Sequence, residues 1–196
     1  KMLKVALTGN IGSGKTTASK IFSIMGVPIF DADNVAKQLY DKPDVIQKLI
    51  ELFGYEIVDG KDNINKSMLA NIVFKDNSKL KILTNFIHPL VKQEFKKWYS
   101  NLSTNIKYCI HESAVIFEGN FIDDIDYVIT ITAPKHIRYQ RVMERNGWSE
   151  ELINMRENNQ IPEEKKIKLS DYVIINDEKQ ALLPQLIDIH NNLLKK

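Results

Sequence analysis

Short runs of apolar, β-favouring residues alternate along the chain with longer stretches of helical period. The runs fall at residues 3–8, 28–31, 106–112, 127–132 and 172–175. Most are apolar at successive positions rather than at every second one. Strands buried on both faces have this pattern, as in a parallel sheet covered by helices. The expected fold class is therefore α/β, a parallel sheet flanked by helices, with the ligand at the carboxyl ends of the strands. One interval breaks the alternation. Between residues 33 and 105 there is no convincing strand, and helices are expected near 33–40, 43–53, 67–75, 78–87 and 89–101. Pro43 suits a first helical turn and Gly54 a helix stop. A helical insertion between the second and third strands follows.

The turn after the first strand carries the strongest chemistry. Gly9-Asn10-Ile11-Gly12-Ser13-Gly14-Lys15-Thr16 fits G-x-x-x-x-G-K-[ST] at every fixed position. A helical pattern runs on to Met25 and is stopped by Gly26. A strand, a glycine-rich turn and a helix N-terminus together form a phosphate cradle. Gly9, Gly12 and Gly14 let the backbone curl so that its N–H groups face phosphate oxygens, and the helix dipole adds positive charge. Ser13 and Thr17 belong to the same cradle. Lys15 is placed to reach the β- and γ-phosphates of ATP, and the Thr16 hydroxyl to join the shell of a Mg²⁺ ion.

Arginine is concentrated. The chain has only four, Arg138, Arg141, Arg145 and Arg156, among 27 basic residues. Arginine's planar fork binds phosphate in a bidentate way that lysine cannot copy. Pro134 suits a helix start and Asn146-Gly147 a helix end, with Arg138, Arg141 and Arg145 on one face between them. Ser149 reads as the N-cap of a second helix, with Glu150 and Glu151 in its first turn and Arg156 further along. Such a hairpin is expected to close over a transferring phosphoryl group. A salt-bridged surface hairpin is the alternative, since Glu144, Glu150, Glu151 and Glu157 lie nearby.

Asp31-Ala32-Asp33 follows the second strand, at the active edge of a parallel sheet. Asp33 is read as the carboxylate that orients or deprotonates an acceptor hydroxyl, and Asp31 as a helix cap. Glu112 ends the third strand and Glu118 follows it; either suits metal or substrate. His88, before Pro89, is a candidate acceptor contact, and Asn176 after the last strand is a candidate contact to ATP at the adenine.

Composition narrows the function classes. A net charge of +2 gives no field for nucleic acid. No run approaches the roughly 18 apolar residues of a membrane span, and no signal peptide is expected. Cys109 is the single cysteine, which excludes an internal disulfide, fits a reducing cytoplasm, and reads as a buried thiol. The guanine-reading motif N-K-x-D of regulatory GTPases fails at Met68 in Asn65-Lys66-Ser67-Met68. A single chain of core (1–32, 102–133 and 168–196), helical acceptor insertion (33–101) and lid (134–167) is expected, working as a monomer on small molecules. A nucleoside, nucleotide or sugar-acid kinase and a non-catalytic nucleotide-binding regulator remain alternatives.

The residues also resemble a specific family, dephospho-CoA kinase. The stretch from Val5 to Thr17 is similar to its V-x-L-T-G-G-I-G-S-G-K-S-T, and Asp31-Ala32-Asp33 with Ala36 to its D-A-D-x-x-A. His88-Pro89 resembles its H-P element, and Gln140-Arg141 with Arg145 its Q-x-x-R lid helix. Gln160 resembles the glutamine closing the second lid helix. Ser170-Asp171-Tyr172-Val173-Ile174-Ile175-Asn176 is similar to its final A-D-x-V-I-x-N. The resemblance implies transfer of the ATP γ-phosphoryl group to the ribose 3′-hydroxyl of dephospho-CoA. It makes Asp33 the general base, Arg141 the lid arginine, and Lys15 and Thr16 the ligands of ATP and Mg²⁺. Three departures stand out: Asn10 replaces a glycine, Glu112-Ser113-Ala114 replaces D-x-P, and Asp177 replaces the glycine after the last Asn. Asn tolerates positive φ best among non-glycine residues, so the loop is expected to keep its shape.

Overall fold

The structure, a computed structural model, describes all residues Lys1–Lys196. Five strands form one sheet: β1 (Leu3–Thr8), β2 (Ile29–Asp31), β3 (Tyr108–Glu112), β4 (Tyr127–Thr132) and β5 (Tyr172–Ile175). The helices are α1 (Lys15–Ile24), α2 (Ala32–Leu39), α3 (Pro43–Phe53), α4 (Lys66–Val73), α5 (Asn77–Ser100), α6 (Lys135–Asn146), α7 (Glu150–Glu157), α8 (Glu163–Lys168) and α9 (Leu182–Leu194). Two compact units result: Lys1–Asp31 with Asn101–Lys196, and Ala32–Ser100.

In the first unit the strand order is β2-β3-β1-β4-β5, and every pair is parallel. β1 lies at the centre, so its apolar residues are enclosed on both faces, as their unbroken run demands. Val5 and Leu7 pack with Ile110, Ile129, Ile131 and Ile174. Ala18 and Phe22 of α1 and Leu186, Ile189 and Leu193 of α9 complete that core. Each fully buried aliphatic side chain contributes about 1.5–3 kcal/mol, and truncating Ile131 to alanine would cost about 2–5 kcal/mol. The register sets Glu112 opposite both Leu7 and Asp31, so β1, β2 and β3 finish level. The strand order reverses at β1, which puts a ligand crevice beyond its carboxyl end.

The second unit is helical. Its longest element, α5, buries Leu83, Ile87, Val91 and Phe95, a four-residue spacing that makes one stripe. α2 and α4 pack on α5. The expected break at His88-Pro89 is absent: α5 runs through Pro89. Proline removes the N–H that would bond the Asn85 carbonyl. Both Asn85 and Pro89 face solvent, so that carbonyl can be satisfied by water and the helix continues.

Candidate active site

The phosphate loop joins β1 to α1. Gly14 caps α1 in the left-handed region at φ 104°, and a Cβ there would overlap the Asn176 side-chain amide. α1 has no side-chain cap and no acid in its first turn, so its first-turn N–H groups and dipole face the loop unopposed. That is the electrostatic requirement for an anion. Lys15 Nζ donates to the Gly9 carbonyl at 2.9 Å, which folds the ammonium over the loop. The Ser13 hydroxyl is buried without a hydrogen-bond partner. Thr16 and Thr17 are exposed on the first turn. Asn10 does not adopt positive φ, so the replacement of glycine needs no left-handed residue there.

Asn176 and Arg141 flank the loop. The Asn176 side chain donates to the Ser13 carbonyl at 2.8 Å. The Asn176 carbonyl accepts from Arg141 Nη2 at 3.1 Å, and Glu178 accepts from Arg141 Nη2 at 3.0 Å. Arg141 Nη1 is buried with no hydrogen-bond partner, a donor held ready for an acceptor.

The arginine face expected on α6 is split by its surroundings. Arg138 is 4% exposed. It pairs with Glu157, lies 3.6 Å from Glu163, and donates to the Ile11 and Ala133 carbonyls. It braces the loop instead of facing the phosphates. Arg145 is exposed and donates to Asn146. Arg156 lies 4.2 Å from the Trp148 ring, a cation–π stack at the hairpin turn. Partial burial lowers its pKa.

Among the acids, Glu112 is buried at the end of β3 and accepts the Ser19 hydroxyl proton. Ser19 lies one turn beyond Thr16 on α1, which sets the carboxylate on the side of the helix that carries Thr16. A hydroxyl and an acid at the loop mouth suit Mg²⁺, which keeps waters and phosphate oxygens as its other ligands. No group of three or more His, Cys, Asp or Glu side chains forms an all-protein cage. Glu118 accepts from the Ile161 N–H at 2.7 Å and lies 3.5 Å from Lys166, which is fully buried on α8. Asp33 is exposed in the first turn of α2, and His88 is half-buried on α5, both in the helical unit. Cys109 is buried, and burial pushes its thiol up to about 12, so it is no nucleophile.

A parallel sheet in this order, with a phosphate loop after its central strand, defines a P-loop kinase fold. Residues 3–181 match the family described as CoaE, dephospho-CoA kinase. A dephospho-CoA kinase of Bacteroides fragilis is 34% identical over 199 residues, covering 99% of this chain and 94% of the relative. Another, from Aquifex aeolicus, is 36% identical over 176 residues, covering 89% of each. The solved dephospho-CoA kinase from Campylobacter jejuni superimposes with a TM-score of 0.70 at 26% identity, covering 98% of this chain and 97% of that one. The chain belongs to the dephospho-CoA kinase family.

Proposed function

We propose that the chain transfers the γ-phosphoryl group of ATP to the ribose 3′-hydroxyl of dephospho-CoA, giving coenzyme A and ADP, the last step of coenzyme A synthesis. The observation that carries this reading is the phosphate loop at the switch-point strand of a chain whose residues 3–181 match one kinase family. The loop N–H groups and Lys15 hold the phosphates, and Arg141 offers Nη1 to the transferring group. Thr16 and Glu112 hold Mg²⁺, which when bound neutralises charge on the β- and γ-phosphate oxygens. Asp33 takes the proton of the acceptor hydroxyl as general base. His88 and Glu118 complete the acceptor contacts, and the turn at Asn176 borders the adenine. Residues 33–101 serve as the acceptor insertion and 134–167 as the lid.

The same reading makes this a cytoplasmic enzyme that works as a monomer, with no nucleic-acid or membrane partner. No helix is long and apolar enough to cross a membrane. An acceptor panel tests the proposal. ADP release from MgATP is expected to rise strongly with dephospho-CoA and not with nucleosides or sugar acids. Stimulation by one of those instead, or by none, would overturn the assignment.

A further inference from the structure

Arg138 of α6 and Gln160, which follows α7, hold the two peptides that flank the Ile11 Cα in the phosphate loop. The Ile11 N–H donates to Gln160 Oε1 at 3.1 Å, and the Ile11 carbonyl accepts from Arg138 Nη1 at 3.1 Å. The Ile11 side chain packs against Tyr139, Val142 and Ile153 inside the hairpin. One residue earlier, Asn10 is 3% exposed and its Nδ2 donates to Glu157 Oε1 at 3.4 Å. One residue later, Gly12 takes φ 79°, and a Cβ there would overlap the Arg138 carbonyl. Glu157 joins these contacts. It accepts from Asn10, from Arg138, and from the Tyr139 hydroxyl at 2.6 Å. Asn10, which stands where the family motif has glycine, and Arg138 therefore meet on one carboxylate.

We propose that Glu157 is a positioning residue which, through Asn10 and Arg138, sets the geometry of the phosphate loop and with it the affinity for ATP. The inference rests on the kinase reading and adds to it a residue that touches neither substrate. A partly buried carboxylate loses stability when its donors are withdrawn. Its donors here are one loop side chain, the arginine that holds the loop carbonyl, and the Tyr139 hydroxyl. Residues 10–12 lead directly into Ser13–Thr17, so a displaced Ile11 peptide moves the N–H groups that face phosphate.

Asn10→Asp separates this role from space-filling, because it keeps the shape but replaces an amide donor with an acceptor facing Glu157. MgATP binding, measured by calorimetry without acceptor, is expected to weaken about tenfold, with a matching rise in the KM for ATP and a smaller change in kcat. Adding Glu157→Gln places an amide opposite the new carboxylate and is expected to recover most of the loss. Parent-like binding by Asn10→Asp, or no recovery in the double variant, would overturn the inference. Glu157→Gln alone keeps the shape, withdraws the charge that Asn10 and Arg138 face, and supplies a second reading should Asn10→Asp fail to fold. It is expected to weaken MgATP binding several-fold, and unchanged binding would also overturn the inference. The kinase reading fails separately, if the parent protein shows no dephospho-CoA-dependent turnover.

Discussion

Ser19 on α1 donates its hydroxyl to Glu112 at the end of β3, and both side chains are buried. The pair ties the helix that begins at the phosphate loop to the strand edge that carries the candidate metal acid. Ser19→Ala withdraws a donor from a buried carboxylate and is expected to cost about 1–3 kcal/mol. It is also expected to raise the Mg²⁺ concentration needed for half-maximal turnover. Urea unfolding with a magnesium titration checks both, and parent-like values in both would remove Glu112 from the metal site.

Lys15→Ala takes away the ammonium that lies over the loop. Nucleotide affinity and turnover should fall together, because the lysine meets the phosphates in the ground state and the transition state alike. A variant with parent kinetics would contradict the cradle assignment.

Asp33→Asn should behave differently. ATP affinity is expected to hold, while kcat falls by roughly 10²–10⁴-fold with the loss of general-base help. Binding by calorimetry and steady-state kinetics on the same preparation separate the two effects. Turnover at the parent rate would rule Asp33 out as the base.

His111 lies in the buried layer of β3, with Phe30 and Phe121 edge-on to its ring. Burial lowers its pKa to about 4. The unfolded chain therefore takes up a proton before the folded one does. Stability from this residue is complete above about pH 6.5 and declines as pH falls toward 4, by about 1.4 kcal/mol per unit. His190, also held low by burial, acts in the same direction. Denaturant unfolding at pH 7 and pH 5 should differ by about 2 kcal/mol on this account, and His111→Phe should remove most of the difference. An unchanged difference in that variant would place the pH dependence elsewhere.

Local signals made much of this fold legible in the sequence. Strands buried on both faces read as unbroken apolar runs, and the phosphate loop is a contiguous motif whose glycines and lysine need no partner to be recognised. The α6–α7 hairpin was legible from Gly147 and the Ser149 cap, which accepts from the Leu152 N–H. What sequence could not assign depends on tertiary placement. The arginine spacing put Arg138 and Arg141 on one face, but only packing sends Arg138 to Glu157 and Arg141 to the turn after β5. Lys166 sits in Glu163-Glu164-Lys165-Lys166-Ile167-Lys168, which reads as a solvated helix, yet it is fully buried and donates to the Ala114 carbonyl at 2.7 Å. Pro89 suggested a helix boundary because its cost is local, whereas the exposure of Asn85 that relieves it is not.

The kinase activity is tested most directly by the chemical identity of the product made from MgATP and dephospho-CoA. Mass spectrometry should show the acceptor heavier by one phosphoryl group, formed in step with ADP, and NMR should place that group on the ribose 3′-oxygen. ADP formed with the acceptor unchanged, or a phosphoryl group at another position, would contradict the account.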